Sequence, residues 1–176
     1  ADETSLLEAL GSLLPFGLKP AVTAVPVAYL AIPGAQVMLE AFAMAEADGT
    51  VLPRRLHVDP ALTPLPDAFA SAVRCGKMIF VSGQSPVSPA GEVMNPGDIV
   101  AQTHVVMARV RAALASMGAG FGDVVKINRW YVGQGTVDDF EPAALACAEN
   151  FSEPGPAATG VPIPRHAEPG QMIKIE

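Results

Sequence analysis

Two glutamates, Glu40 and Glu176, occupy the same point of a repeated stretch. Each closes a run of alternating apolar residues, Val37-Met38-Leu39 in one case and Met172 to Ile175 in the other. A carboxylate at the end of a strand can orient a water molecule or take a proton from it, provided that it is part-buried. Ser82-Gly83 follows a third apolar run, Ile79-Phe80-Val81. There a hydroxyl can hydrogen-bond a ligand or water, and a residue without a side chain lets a ligand approach the backbone. Each feature also has a plainer reading, as a solvated strand-end acid or as a strand terminus with its turn. Recurrence of the acid in both copies favours the chemical reading.

Other chemistries find less support. Phe80 stands two positions before Ser82, where a nucleophile elbow requires glycine. Gly118-Ala119-Gly120-Phe121-Gly122 follows a helical pattern, so it reads as a helix stop and not as a phosphate loop. His57, His104 and His166 form no spaced ligand set, and neither do Cys75 and Cys147. No zinc site is expected. The two cysteines read as buried thiols in a reducing cytoplasm. A net charge of −7 argues against nucleic acid. The apolar stretch from Ala21 to Ala47 is broken by Pro26, Pro33 and Gly34, which makes two strands joined by a turn a better reading than a membrane span. The chain begins at Ala1 without a signal peptide, as a processed chain or fragment would. Ala1 has no nucleophilic side chain, which weakens the idea of a self-cutting enzyme.

The repeat organises the chain. Pro20-Ala21-Val22-Thr23-Ala24-Val25-Pro26 and Pro156-Ala157-Ala158-Thr159-Gly160-Val161-Pro162 align without a gap through Pro33-Gly34 and Pro169-Gly170 to Glu40 and Glu176. The offset makes residues 41–176 one whole unit and the preceding residues the tail of an earlier copy. So short a tail cannot bury enough apolar surface to fold alone. It must dock on the complete unit, on another subunit, or on a companion chain carrying the missing part. Half of the chain is hydrophobic and only 16 % is charged. That suits a surface covered in an oligomer, although an alanine-rich composition has the same effect.

Positioning the acids and the Ser-Gly pair falls to an α+β arrangement. Thr50 to Val58 reads as a strand. Ala70 to Val73 and Lys77 to Ser82 read as a hairpin turning at Gly76. Asp98 caps a helix whose apolar stripe runs from Ile99 to Met117, with Gly118 as its stop and Arg109 and Arg111 facing solvent. Val124 to Val132 is a strand, Phe140 to Phe151 a second helix capped by Asp138 or Asp139, and Pro156 to Ile163 with Gln171 to Glu176 a closing hairpin. Both helices cover one face of a mixed sheet, and the other face needs a partner.

The sequence resembles the RidA (YjgF-type) family over nearly all of residues 61–176. The resemblance is carried by Ile79-Phe80-Val81-Ser82-Gly83-Gln84-Ser85-Pro86, Ile99-Val100-Ala101-Gln102-Thr103, Gly122-Asp123-Val124-Val125-Lys126, Asp138-Asp139-Phe140, and Pro156-Ala157 through Ile175-Glu176. Residues 1–43 match the family's C-terminal third, which gives two domains: 1–43 as a partial first copy and 44–176 as a complete second one. The resemblance implies a chorismate-mutase-like fold, a trimeric or pseudo-hexameric barrel-like assembly, and pockets between units. It also implies cofactor-free hydrolysis of amino-acid-derived imines and enamines.

Carried over by position, the water-activating glutamate falls on Glu176 and Glu40, and the ligand-holding Ser-Gly on Ser82 and Gly83. A pocket aromatic falls on Trp130, and a pocket tyrosine becomes Phe69. The arginine that would bind a substrate carboxylate becomes Ala158, with Val22 in the first copy. A nearby cysteine becomes Gly160, with Ala24 in the first copy. Neither Ala158 nor Val22 offers the planar, permanently charged fork of arginine. Arg165 and Arg129 are the candidate replacement cations, but a pocket that accepts a neutral or differently charged ligand is the preferred expectation. The expected function is an altered RidA-like imine or enamine hydrolase; a non-catalytic binder or assembly protein of the same fold is the alternative.

Overall fold

The computed structural model describes residues 2–176, so Ala1, on which the self-cutting reading turned, lies outside the described residues. In chain order the elements are α1 (Glu3–Leu13), β1 (Arg54–His57), β2 (Ala72–Cys75), β3 (Met78–Val81), α2 (Ile99–Ser116), β4 (Lys126–Val132), α3 (Val137–Ala148), β5 (Ala157–Ile163) and β6 (Ile173–Ile175). They form a mixed α+β fold. Two three-stranded sheets run in the orders β1-β2-β3 and β5-β4-β6, and an antiparallel bridge between Gln84 and Ile175 links them.

The β2–β3 hairpin forms in the expected place. Cys75 faces Met78 across a tight turn in which Gly76 has φ +56°, a left-handed backbone that favours glycine. Asp98 caps α2 by accepting from the Ala101 amide at 2.9 Å. The apolar stripe of α2 packs as its period demands: Val106, Met107, Val110 and Leu114 bury against Ile127, Ala143, Cys147, Ile173 and Ile175. Complete burial of Ile173 or Ile175 stabilises the fold by roughly 1.5–3 kcal/mol each. Cys75 and Cys147 are free and buried.

Four expectations need correction. The closing segment is not a hairpin, because β4 lies between β5 and β6, parallel to the first and antiparallel to the second. The α3 cap is Thr136; Asp139 sits at the third helical position and accepts from the Gln134 and Thr136 amides. Arg109 is buried, donating to the carbonyls of Ser85 and Val87. Residues 20–40 contain no strand, and Tyr29, Ile32, Met38 and Phe42 project into solvent. Residues 1–43 include no counterpart of β4, the strand on which β5 and β6 are built, so nothing within them can complete a ladder.

The front of that segment is nevertheless docked. Pro20 accepts from the Ala70 amide, and Val22 accepts from the Gly83 amide, each at 3.1 Å. Helix α1 approaches Ala68 and Phe69 so closely that a Cβ on Gly11 would stand 2.6 Å from the Ala68 side chain. In β6, Ile173 and Ile175 turn into the helix-covered core, so Lys174 and Glu176 point to the opposite face. Residues 3–24 cover that face.

Candidate functional site

Glu176 follows β6, and its backbone exchanges hydrogen bonds with Asn128 on β4 at 3.0 and 3.1 Å. This pairing brings the two side chains together. The Asn128 amide donates to Oε1 of Glu176 at 2.9 Å, and the Thr23 hydroxyl donates to Oε2. The carboxylate is part-buried and held from both sides. About four lone-pair directions exist on an ionised carboxylate, so sites for a water remain after these two are taken.

Ser82 and Gly83 adjoin this acid. The fully buried Ser82 hydroxyl donates to the Ala70 carbonyl at 2.6 Å and accepts from the Val22 amide at 2.8 Å. It therefore fixes residues 20–24 against the sheet junction. Gly83 is needed for close approach: a Cβ there would lie 2.7 Å from Thr23 Cγ2 and 3.2 Å from Lys174 Cδ. We expect Gly83→Ala to lift residues 20–24, raising their amide hydrogen-exchange rate about tenfold or more while α2 stays protected. Unchanged exchange at Val22 and Thr23 would contradict this packing.

Of the residues singled out in the sequence, the fold brings Ser82, Gly83 and Glu176 together. Trp130 lies opposite Lys174 in the β4–β6 register, on the same sheet face as Asn128 and Glu176. Phe69 is buried beside Ala70 and helix α1. Ala158 and Gly160 are not gathered with Glu176. They register with Ile127 and Arg129, which places them on the helix-side face; a Cβ on Gly160 would meet the Tyr131 ring at 3.5 Å. The residues that the sequence alignment sets against them do reach the site, Val22 through its amide and carbonyl and Ala24 through its carbonyl. Glu40 lies in the exposed irregular segment.

Neither replacement cation is at the acid. Arg129 turns towards Cys147, whose thiol burial pushes up while the guanidinium opposes that rise. Arg165 lines a separate hollow of about 280 Å³ with Val132, His166 and Met172. The cation that does border the site is Lys174, with Nζ 2.8 Å from the Ala24 carbonyl and 2.6 Å from Glu3. Sequence reasoning missed Lys174, Thr23 and Asn128. Lys174 and Glu176 are two apart on one strand, a signal that would have paired them. The Thr23–Glu176 contact spans 153 positions and left only the Thr23/Thr159 identity as a trace. Among the described residues no acid, histidine and cysteine group could hold a metal, and no helix is long and apolar enough to cross a membrane.

His166 lies beneath this region. Its Nε2–H donates to the Trp130 carbonyl at 3.1 Å, whereas the buried Nδ1 has no partner among the described residues. Burial first, and the Lys174 charge second, push its pKa down to about 4. The fold thus favours neutral His166. This contribution is complete above the unfolded value near 6.5 and is lost as pH falls from there towards 4. Between pH 7 and pH 5 the loss amounts to about 2 kcal/mol. Denaturation at the two pH values should show a smaller acid-induced drop for His166→Gln than for the parent.

The family profile described as endoribonuclease L-PSP matches residues 62–176. A RutC family protein of Pyrococcus abyssi is 36 % identical over 98 residues, covering 55 % of this chain and 74 % of that protein. An Escherichia coli (strain K12) protein provisionally named reactive intermediate deaminase TdcF is 35 % identical over 61 residues, which is 34 % of this chain and 46 % of that one. Among solved structures, RidA from a Psychrobacter species aligns with a TM-score of 0.59 at 24 % identity, over 69 % of this chain and 94 % of that one, a likeness of fold. Profile, relatives and fold agree: the chain belongs to the RidA/YjgF family, whose profile carries the endoribonuclease L-PSP description.

Proposed function

We propose that Glu176, with Asn128, Ser82 and Gly83 beside it, hydrolyses small imines or enamines, releasing ammonia and a carbonyl product. The observation that carries this reading is the part-buried Glu176 carboxylate, oriented from both sides by Asn128 and Thr23 at the end of β6. Glu176 takes a proton from water as the oxygen attacks the C=N carbon. The π pair moves to nitrogen, which receives the proton to give a carbinolamine; transfer of its hydroxyl proton to nitrogen, again through Glu176, lets C=O form as the C–N bond breaks and ammonia leaves. The deaminase name of the Escherichia coli relative supports this reaction class. RNA cleavage, named in the profile's description, sits poorly with a net charge of −7.

The same reading treats residues 1–43 as part of a first copy and 44–176 as the complete second copy. Pro20–Ala24 then stands where the corresponding Pro156–Gly160 of another unit would dock in a ring of three. A companion chain bearing the rest of the first copy would cover the exposed Tyr29, Met38 and Phe42. The second reading, an assembly or binding protein without turnover, is favoured by one observation: Val22 and Thr23 already occupy the space above Gly83.

The test is ammonia release from enzymatically generated charged and neutral imines, with Glu176→Gln as the control. Turnover that depends on Glu176 supports hydrolysis. Absence of turnover across the panel selects the binding reading.

A further inference from the structure

No ligand can lie over Gly83 while residues 20–24 are in place. A Cβ on that glycine would stand 2.7 Å from Thr23 Cγ2 and 3.0 Å from the Thr23 hydroxyl, so the space is already filled. The same hydroxyl donates to Oε2 of Glu176. A water poised to attack offers a carboxylate the same O–H, so Thr23 stands in for the nucleophile as well as for the ligand. Asn128 holds Oε1 from β4 and does not depend on this segment.

The segment and helix α1 are fastened to each other and only lightly to the domain. The Ala70 and Gly83 amides and the Ser82 hydroxyl hold the backbone of residues 20–22. Lys174, with a side chain 4 % exposed, donates both to the Ala24 carbonyl at 2.8 Å and to Glu3 of α1 at 2.6 Å. Helix α1 rests on the buried Leu7 and on the close approach of Gly11 to Ala68. A helix of 11 residues is marginal by itself in water, so α1 stays folded only while it is docked. Between the two, Lys19 has φ +36°, a left-handed backbone that is costly for lysine, the more so before proline, and that release would relieve. Beyond residue 26 the chain leaves the surface, and the exposed Tyr29, Ile32 and Met38 add no hold.

We infer that residues 3–24 are an autoinhibitory strap, which closes the Glu176 site by laying Thr23 on its carboxylate and opens when α1 undocks. Opening lifts residues 20–24 from Ser82 and Gly83, frees Oε2 for water and leaves Asn128 to keep the acid aimed. Lys174 ties the helix to the segment, so the two are released together. A site that is open for a fraction of the time binds its ligand in proportion to that fraction. The inhibition of turnover rests on the hydrolytic reading, whereas the opening itself does not.

Amide hydrogen exchange and ammonia release from the imine panel, both on the full chain, test the strap. Leu7→Ala removes the buried anchor of α1. It should raise exchange of the Ala70 and Gly83 amides at least tenfold together, with α2 as protected as in the parent, and should raise ammonia release in step. Gly11→Ala should do the same although alanine is the better helix former, because its Cβ would stand 2.6 Å from the Ala68 side chain. Thr23→Val keeps the shape of the side chain and should raise ammonia release at least threefold. Exchange at Gly83 within twofold of the parent in both α1 variants overturns the strap. So does a Thr23→Val rate no higher than the parent's, which would make the hydroxyl a group that orients the acid. Coupled exchange with no ammonia release from any form would remove the hydrolytic reading and leave the strap standing.

Discussion

Glu176→Gln should lower the rate of ammonia release by about 10²–10⁴-fold, the usual contribution of a positioned general acid–base group. The substitution keeps the size and shape of the side chain, so the Asn128 and Thr23 contacts can rearrange around it with little cost to the fold. It removes the one property that the reaction needs, a carboxylate that accepts a proton from the attacking water. The loss belongs in kcat, because the substitution removes only the proton acceptor and leaves the shape of the site unchanged. Asn128→Ala tests positioning separately. It frees Oε1 from its donor at 2.9 Å and should cost about tenfold, less than loss of the acid itself. Both variants should melt close to the parent temperature. A Glu176→Gln rate within threefold of the parent would remove the acid from the mechanism, whatever its hydrogen bonds.

The elements governed by local rules were readable from the chain. Asp98 and Gly118 bracket α2, and the stripe between them packs where a period of 3.6 residues places it. The β2–β3 turn at Gly76 follows from backbone preference alone. Long-range order was less visible. Adjacency in sequence suggested a β5–β6 hairpin, yet a strand–helix–strand passage from β4 through α3 to β5 makes a parallel pair and sends β6 to the other side. The repeat aligns Thr23 with Thr159, but it also implied strands in residues 20–40, where the chain offers no β4 counterpart to pair with. At the site, Ser82, Gly83 and Glu176 were legible because each ends an apolar run. Lys174 was not, since a lysine within such a run looks like a solvated edge residue until something covers it, and its cover comes from residues 3–24.

Arg109 was misplaced for a related reason, and it carries the largest expected effect on stability. Its position on α2 lies off the apolar stripe, so the helix alone leaves it in water. The loop after Gly83 folds over it instead, and the guanidinium donates to the Ser85 and Val87 carbonyls and approaches the Met94 sulfur at 3.8 Å. Burial pushes its pKa down from the ordinary arginine value. Arg109→Met keeps most of the apolar stem, strips the Val87 carbonyl of the guanidinium donor and leaves the buried Ser85 carbonyl only the Thr63 hydroxyl at 3.4 Å. The expected cost is about 2–4 kcal/mol, the sum of a lost charge-assisted bond and an unsatisfied acceptor. Urea denaturation measures it, and hydrogen exchange should show the loss of protection concentrated in residues 85–94. Arg109→Lys should recover part of the stability, because an ammonium can reach one carbonyl but lacks the fork that spans both. A Met variant within 0.5 kcal/mol, roughly the scatter of neutral surface changes, would mean that water replaces the guanidinium at no cost and that the loop does not depend on it.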